Sequence, residues 1–353
     1  MTTRVAAIFA LAAVAPLFVA AGGNVLHNMV LAAAYVVMAL GLNVIVGFAG
    51  LLDLGYVACF AIGSYTAAYL ASGYWDIHFS FILVLALAAA ATAIVGTLIG
   101  IPTLRLRGDY IAVVTLAFGE IISQIAANGR QIELFGGTLT PGPIGIGPID
   151  RIDLPFIDRF NALDLCPWYW FALALVAMAV FVNVRLRGSR IGRAWTAMRD
   201  DETAAAFAGV AIVRTKLAAY GTGAAFGGVS GAFFASYLGV VNASQFEFSF
   251  SIFIFAMVVL GGLGSTWGVV AGAIVLSLVN NWLLPDVLYD IPQALGLDFD
   301  LSAISSGIYG AILVIVMLLR PQGLVPAPSS RPSAARSSSP NRSAIAFDAS
   351  PTA

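Results

Sequence analysis

Apolar runs of bilayer length recur along this chain, and they constrain its fold more than any other feature. Residues 79–101, 168–184 and 217–238 contain no Asp, Glu, Lys, Arg or His. A stretch of about 18 or more mainly apolar residues reads as a transmembrane helix, because the bilayer core is ~30 Å thick and a helix rises ~1.5 Å per residue. Applied along the sequence, this rule predicts spans at 5–21, 29–47, 54–71, 79–101, 110–127, 168–184, 217–238, 246–263, 267–284 and 303–319. The chain is 60% hydrophobic and its mean hydropathy is +0.94, whereas soluble domains lie near ~45–50% apolar. The expected fold class is therefore an all-α polytopic membrane protein, a bundle of about ten transmembrane or partly re-entrant helices with both termini cytoplasmic.

Three regions follow. Residues 1–28 read as an N-terminal span or signal-like segment, since Val19-Ala20-Ala21 is small enough to be cleaved. Residues 29–320 form the transmembrane domain, and residues 246–263 suit either a crossing or a re-entrant segment. Residues 321–353, rich in Pro, Ser and Arg, are expected to be a disordered cytoplasmic tail.

Charge fixes the expected orientation. Arg185, Arg187, Arg190, Arg193, Arg199, Arg214 and Lys216 cluster between two apolar runs in a chain that is 10% charged. Basic loops between spans stay in the cytoplasm, and Arg105, Arg107 and Arg320 fall on the same side. Segment 185–216 also has local structure. Residues 192–198 suit a short helix with Trp195 and Met198 three apart on one face. Asp200 and Asp201 can cap a second helix, with Glu202 in its first turn and Gly209 ending it. A solvated linker has no use for Trp195, Met198 and Phe207, so the loop reads as a docking surface for a soluble partner.

Several functions are excluded or disfavoured. Lys216, the one lysine, stands in VRTKL with no preceding glycine, so the chain carries no phosphate-binding loop of the GxxxxGK[ST] type. Cys59 and Cys166 form no CxxC, and His27 and His78 stand alone, so a metal site is not expected. The net charge of −1 gives no footprint for nucleic acid.

Polar groups at membrane depth are the candidate pathway residues. A carboxylate at a helix centre costs about 2.5–3.5 kcal/mol on insertion scales, so Glu120 should face the bundle interior or water. Gln124 lies one turn on, and Asn43 sits late in the second run; all three suit either a solute pathway or interhelical hydrogen bonding. Asp53 suits a helix cap. Gly223, Gly227 and Gly231 recur every fourth residue, as do Gly264, Gly268 and Gly272, which marks close helix packing within the chain or against a second membrane subunit. The Gly/Pro-rich, acidic stretches 128–167 and 285–302 suit either an extracytoplasmic partner or plain solvated loops, and Trp168, Tyr169 and Trp170 suit an interfacial belt.

The stretches LGLNVIVGFAGLLDLGYVACFAIGSYTAAYL (40–70), LRGDYIAVVTLAFGEII (106–122), GRAWTAMRDDETAAAFAGVAIVRTKLAAYGTGAAFGGVSGAF (192–233), VVLGGLGSTWGVVAGA (258–273) and RPQGL (320–324) resemble the LivM-type permease subunit of branched-chain amino acid ABC importers. The resemblance implies a subunit without catalytic residues, metal or cofactor of its own, working in a bacterial inner membrane. Its implied partners are a LivH-type second permease, two cytoplasmic ATPase subunits that bind ATP, and an extracytoplasmic substrate-binding protein. Within 193–216, Arg193, Trp195, Met198, Arg199, Asp200, Asp201 and Glu202 would be the ATPase-coupling residues. The implied cargo is branched-chain or other hydrophobic amino acids, although the same family also serves urea and short amides. From the residues alone, an ion-coupled secondary transporter using Glu120 remains the rival reading.

Overall fold

The computed structural model describes residues 23–104, 106, 110–134, 137–152, 164–281 and, further on, 307, 310, 311, 314, 318 and 323–325. The predicted spans at 5–21 and 303–319, the side chains of Arg105, Arg107 and Arg320, and loop 285–302 lie outside the described residues, wholly or in large part. Ten α-helices are described: α1 Asn24–Leu42, α2 Val57–Leu70, α3 Phe81–Thr103, α4 Tyr110–Asn128, α5 Leu165–Gly188, α6 Arg190–Asp200, α7 Glu202–Phe207, α8 Ile212–Leu238, α9 Phe248–Gly261 and α10 Thr266–Leu278. Two two-residue hairpins, Ala71–Ser72 with Ile77–His78 and Glu133–Leu134 with Gly137–Thr138, are the strands among them.

Four of these stretches are long and apolar enough to cross a bilayer: Asn24–Phe48, Phe81–Thr103, Tyr110–Gln131 and Leu165–Gly188. Large apolar side chains on α3, α4 and α5, among them Ile94, Leu98, Val113 and Phe181, point outward, as they must where lipid replaces water.

Helix α8 is the central post. Its small residues let three neighbours approach at backbone distance. A Cβ on Gly223 would lie 2.5 Å from Ile45 of the α1 extension, one on Gly227 3.0 Å from Cys59 of α2, and one on Gly231 2.2 Å from the Phe60 carbonyl. On another side of α8, a Cβ on Gly228 would meet Thr92 Oγ1 of α3 at 2.4 Å. Polar groups lock the contacts. Tyr56 Oη donates to Gly223 O (2.7 Å), Ser64 Oγ to Gly231 O (3.1 Å) and Ser230 Oγ to Ala34 O (2.7 Å). The 223/227/231 groove is thus filled within this chain, and so is that of Gly268 and Gly272, which meet Gly261 O and Met257 O across the α9–α10 hairpin.

Not every apolar run is a full crossing. Helices α2 and α9 have 14 residues each, which at ~1.5 Å per residue is roughly 20 Å against a ~30 Å core. Non-helical backbone at such depth must be buried in protein. Residues 49–56 meet this condition: Asp53 Oδ1 accepts from the Gly55 amide (2.9 Å), the Leu54 amide donates to Thr115 Oγ1 (3.1 Å), and Ser251 Oγ donates to Leu54 O (2.5 Å). Asp53 therefore shapes a turn two residues ahead of α2; Tyr56 occupies the N-cap position.

The stretch after α4 departs from the solvated-loop alternative. The Ile146 amide donates to Val241 O (2.8 Å), Ile149 to Gly239 O (2.9 Å) and Asp150 to Ala71 O (2.6 Å), and Ile146, Ile149 and Ile152 are buried. It folds down as a cover over one end of the bundle. At its edge His78 Nδ1 bonds the Asp150 carboxylate, which raises the imidazole pKa above its usual value. Of the expected aromatic belt, only Trp170 faces outward; Trp168 is buried against Tyr237 and Phe233.

The α8 packing yields a direct stability test. Gly231→Ala forces a methyl group into the Phe60 carbonyl, which should cost about 1–3 kcal/mol and lower the melting temperature of the detergent-solubilised protein. Gly188→Ala, where a Cβ would meet nothing within 4 Å, should leave that temperature unchanged.

Candidate functional site: the basic elbow and its glycine seat

The cationic segment folds into two helices set at an elbow. Ser189 caps α6, its Oγ accepting from the Gly192 amide at 3.1 Å. Asp201 caps α7, its Oδ1 accepting from the amides of Thr203 (2.8 Å) and Ala204 (2.9 Å). Gly209 then stops the helix with φ +85°, a conformation glycine adopts without steric penalty. The first helix is longer than 192–198, because Ser189 rather than a later residue nucleates it.

The elbow is fastened to the bundle at three points. Trp195 is fully buried, and its Nε1 donates to Thr215 O at 2.9 Å. Lys216 Nζ pairs with Glu202 Oε1 at 2.8 Å; the lysine side chain is 4% exposed and the glutamate 48%. Arg199 reaches over the end of α1, where its Nη1 donates to Gly47 O.

Three glycines make room for that arginine. A Cβ on Gly50 would lie 2.7 Å from Arg199 Cγ, and one on Gly264 2.8 Å from Nη1. The third, Gly47, presents the carbonyl that the guanidinium takes. Gly50 (φ +72°) and Gly264 (φ +82°) also need a left-handed backbone. Asn43 fixes the seat. It is fully buried in a π-helical turn, Asn43–Phe48, and its Oδ1 accepts from the Gly264 amide at 2.9 Å. The second motif is held in turn by Leu324 and Val325, whose amides donate to Leu260 O (2.9 Å) and Gly261 O (3.1 Å). Ordered contacts therefore reach into the segment expected to be a tail from residue 321 onward. The sequence shows the two glycine-rich turns, but their convergence beneath Arg199 is visible only in three dimensions.

Two expectations change. Trp195 and Met198 share a face, but that face turns into the protein, because a buried indole with its N–H satisfied is far more stable against the bundle than in water. The outward surface is formed by Phe207, 90% exposed, with Arg193, Asp200, Asp201 and Glu202. Between the elbow and residues 49–52 lies an open groove of about 710 Å³, lined by Met198, Arg199, Glu202, Phe207 and Lys216 among others.

The pathway candidates are placed apart from one another. Asn43 serves the glycine seat, with its Nδ2 left without a partner among the described residues. Glu120 lies on the outward side of α4, where its Oε1 accepts from Gln124 Nε2 at 2.9 Å and Asn128 Nδ2 donates to Gln124 Oε1 at 3.2 Å. Hence α4 bears a polar ladder on a surface that the described residues leave exposed. No cluster of three or more His, Cys, Asp or Glu suited to a metal occurs among the described residues.

The Lys216–Glu202 pair is unequal: losing the glutamate strands a buried ammonium, whereas replacing the lysine by an apolar residue does not. Glu202→Ala should thus loosen α7 and speed tryptic cleavage after Arg199. Lys216→Met, which loses the tie but strands no buried charge, should speed cleavage less, and equal acceleration in both variants would contradict the assignment.

Comparison with known proteins agrees with this architecture. The sequence model of the family described as "Branched-chain amino acid transport system / permease component" matches residues 24–317. The chain is 38% identical over 312 residues to the high-affinity branched-chain amino acid transport system permease protein LivM of Escherichia coli, covering 83% of this chain and 68% of that protein. The Salmonella typhimurium LivM is 37% identical over 316 residues with the same coverages, and its LivH permease is 24% identical over 314 residues, covering 86% and 94%. No solved structure matches. An all-helical, multi-pass membrane protein that works with other subunits, this chain belongs to the branched-chain amino acid transport permease family.

Proposed function

We propose that this chain is a permease subunit of an ABC importer that carries branched-chain amino acids across a bacterial inner membrane. The observation that carries the reading is the elbow: an exposed charged platform bearing Phe207, braced by Trp195, Arg199 and Lys216 onto α8, the end of the α1 extension and the α9–α10 turn. A platform this firmly braced transmits a push rather than absorbing it. The basic charge of 185–216 supports a cytoplasmic elbow, with both termini on the same side. There, two ATPase subunits that bind ATP grip α6 and α7 through Arg193, Asp200, Asp201 and Phe207. This chain contributes no cofactor.

Motion of the elbow reaches the membrane interior through the glycine seat. Arg199 links it at once to Gly47 on α1 and to the turn at Gly264, and Asn43 ties those two together. A tilt of α6 thereby moves the ends of α1, α9 and α10 as one body. The uncovered polar ladder Glu120–Gln124–Asn128 suits the boundary with a LivH-type second permease, where a solute path between two subunits needs polar groups. An extracytoplasmic binding protein delivers the amino acid to the opposite end, over the folded cover of 137–152.

Reconstitution with the companion subunits provides the test. Vesicles holding the full assembly should accumulate L-leucine only with ATP, and an ionophore should not stop them. Accumulation by this chain alone would identify a secondary transporter instead. Substituting both Arg199 and Asp201 by Ala should leave the assembly intact but lower uptake per ATP hydrolysed by about tenfold, as loss of roughly 1.4 kcal/mol of coupling would. Glu120→Gln should reduce uptake while membrane insertion, read by protease protection, stays normal.

A further inference from the structure

The start of α9 frames a recess that the coupling machinery does not use. Tyr35 of α1, Phe60 of α2, Phe234 of α8, and Phe250 and Phe253 of α9 line a hollow of about 260 Å³. The rings form a continuous set: Phe60 lies 5.2 Å from Phe234 and 5.3 Å from Phe250, and Tyr35 lies 5.7 Å from Phe250 and 5.6 Å from Phe253, centroid to centroid. At the rim of this apolar box stands one carboxylate, Glu247, which is exposed in the isolated chain.

The position is as unusual as the composition. Tyr35 stands eleven residues into α1, roughly 16 Å along that helix from its start. After α8 the chain turns back into the bundle: Phe246 packs on Phe60 and Tyr65, and α9 starts beside them. A carboxylate set among apolar helices marks a solute site before it marks a structural one. Glu247 makes no cap hydrogen bond to α9, so capping does not explain it.

Resting on the transport reading above, we propose that this recess binds a hydrophobic α-amino acid in transit. The branched side chain enters the aromatic box, and the ammonium sits on Glu247 at the ring edge, where carboxylate and aromatic faces both attract a cation. The carboxylate of the ligand meets Ser249 in the first turn of α9 and Asn280, both of which line the hollow; that helix end favours an anion. A hollow of this size accommodates a branched aliphatic side chain. A lipid chain would fill the box but leave Glu247 without a counter-charge, so the acid selects the amino acid.

The experiment is equilibrium binding of tritiated L-leucine to the full assembly in nanodiscs, without nucleotide or soluble receptor. Saturable binding is expected, displaced by isopentylamine, which keeps the ammonium and branched chain, and far less by 4-methylpentanoate, which lacks the ammonium. Glu247→Gln should weaken binding about tenfold or more. Phe250→Trp, which fills the hollow without removing an aromatic face, should abolish it and covers the case in which the first variant does not assemble. Absence of saturable binding, an unchanged Kd in either variant, or equal displacement by the two analogues overturns the proposal. ATP-driven uptake is measured on the same preparations. Uptake without binding in the recess sinks the recess alone, and binding without ATP-driven uptake sinks the transport reading alone.

Discussion

Close approach of backbones along α8 is the constraint on which everything else depends. In lipid, apolar side chains gain nothing by leaving their surroundings, so helices associate through dispersion and hydrogen bonds that act only at short range. Gly223, Gly227, Gly228 and Gly231 bring α1, α2 and α3 within that range, and Tyr56, Ser64 and Ser230 then reach carbonyls on the neighbouring helices. With side chains at these positions, the hydroxyls would fall short of their acceptors. The buried polar groups would become costs instead of fasteners.

The same economy of space operates at the elbow. A guanidinium can grip two separate turns only if both present bare backbone, and Gly47, Gly50 and Gly264 provide it. Arg199 is thereby a mechanical link between a polar platform and the buried ends of α1 and the α9–α10 hairpin. Trp195 and Lys216 stop the platform from rocking independently. The chemistry is all non-covalent; what the site offers is stiffness in one direction and an exposed surface in the other.

Short helices carry the other half of the argument. Breaking the helix at 49–56 and turning the chain back at 239–247 exposes backbone that lipid cannot satisfy, so both stretches are held by hydrogen bonds, among them those of Thr115, Ser251, Ile146 and the capping box of Asn242 and Gln245. Such interruptions are tolerated where backbone lies against protein or lines a cavity. One of them ends at the aromatic recess and the other at the glycine seat.

The limits of sequence reading follow the range of the forces. Apolar run length, a local property, located α1, α3, α4, α5 and α8 to within a few residues, and cap chemistry located α7 and its end at Gly209. The lone carboxylate and the basic cluster stood out because charge is rare in so apolar a chain. Direction was not legible. Trp195 and Met198 share a face in any helix, but only packing decided that the face turns inward. Asn43 suited either a solute pathway or interhelical hydrogen bonding, and the partner it takes, the Gly264 amide, lies more than two hundred positions away. The glycine-rich turns stand in the sequence, yet nothing local pairs them with Arg199, and nothing local pairs the α9 aromatics with Tyr35. The sequence by itself determined which segments enter the bilayer, through burial energies that add residue by residue. Only the tertiary structure decided which of their faces meet, because that rests on contacts between distant segments whose strength vanishes within an ångström of misfit.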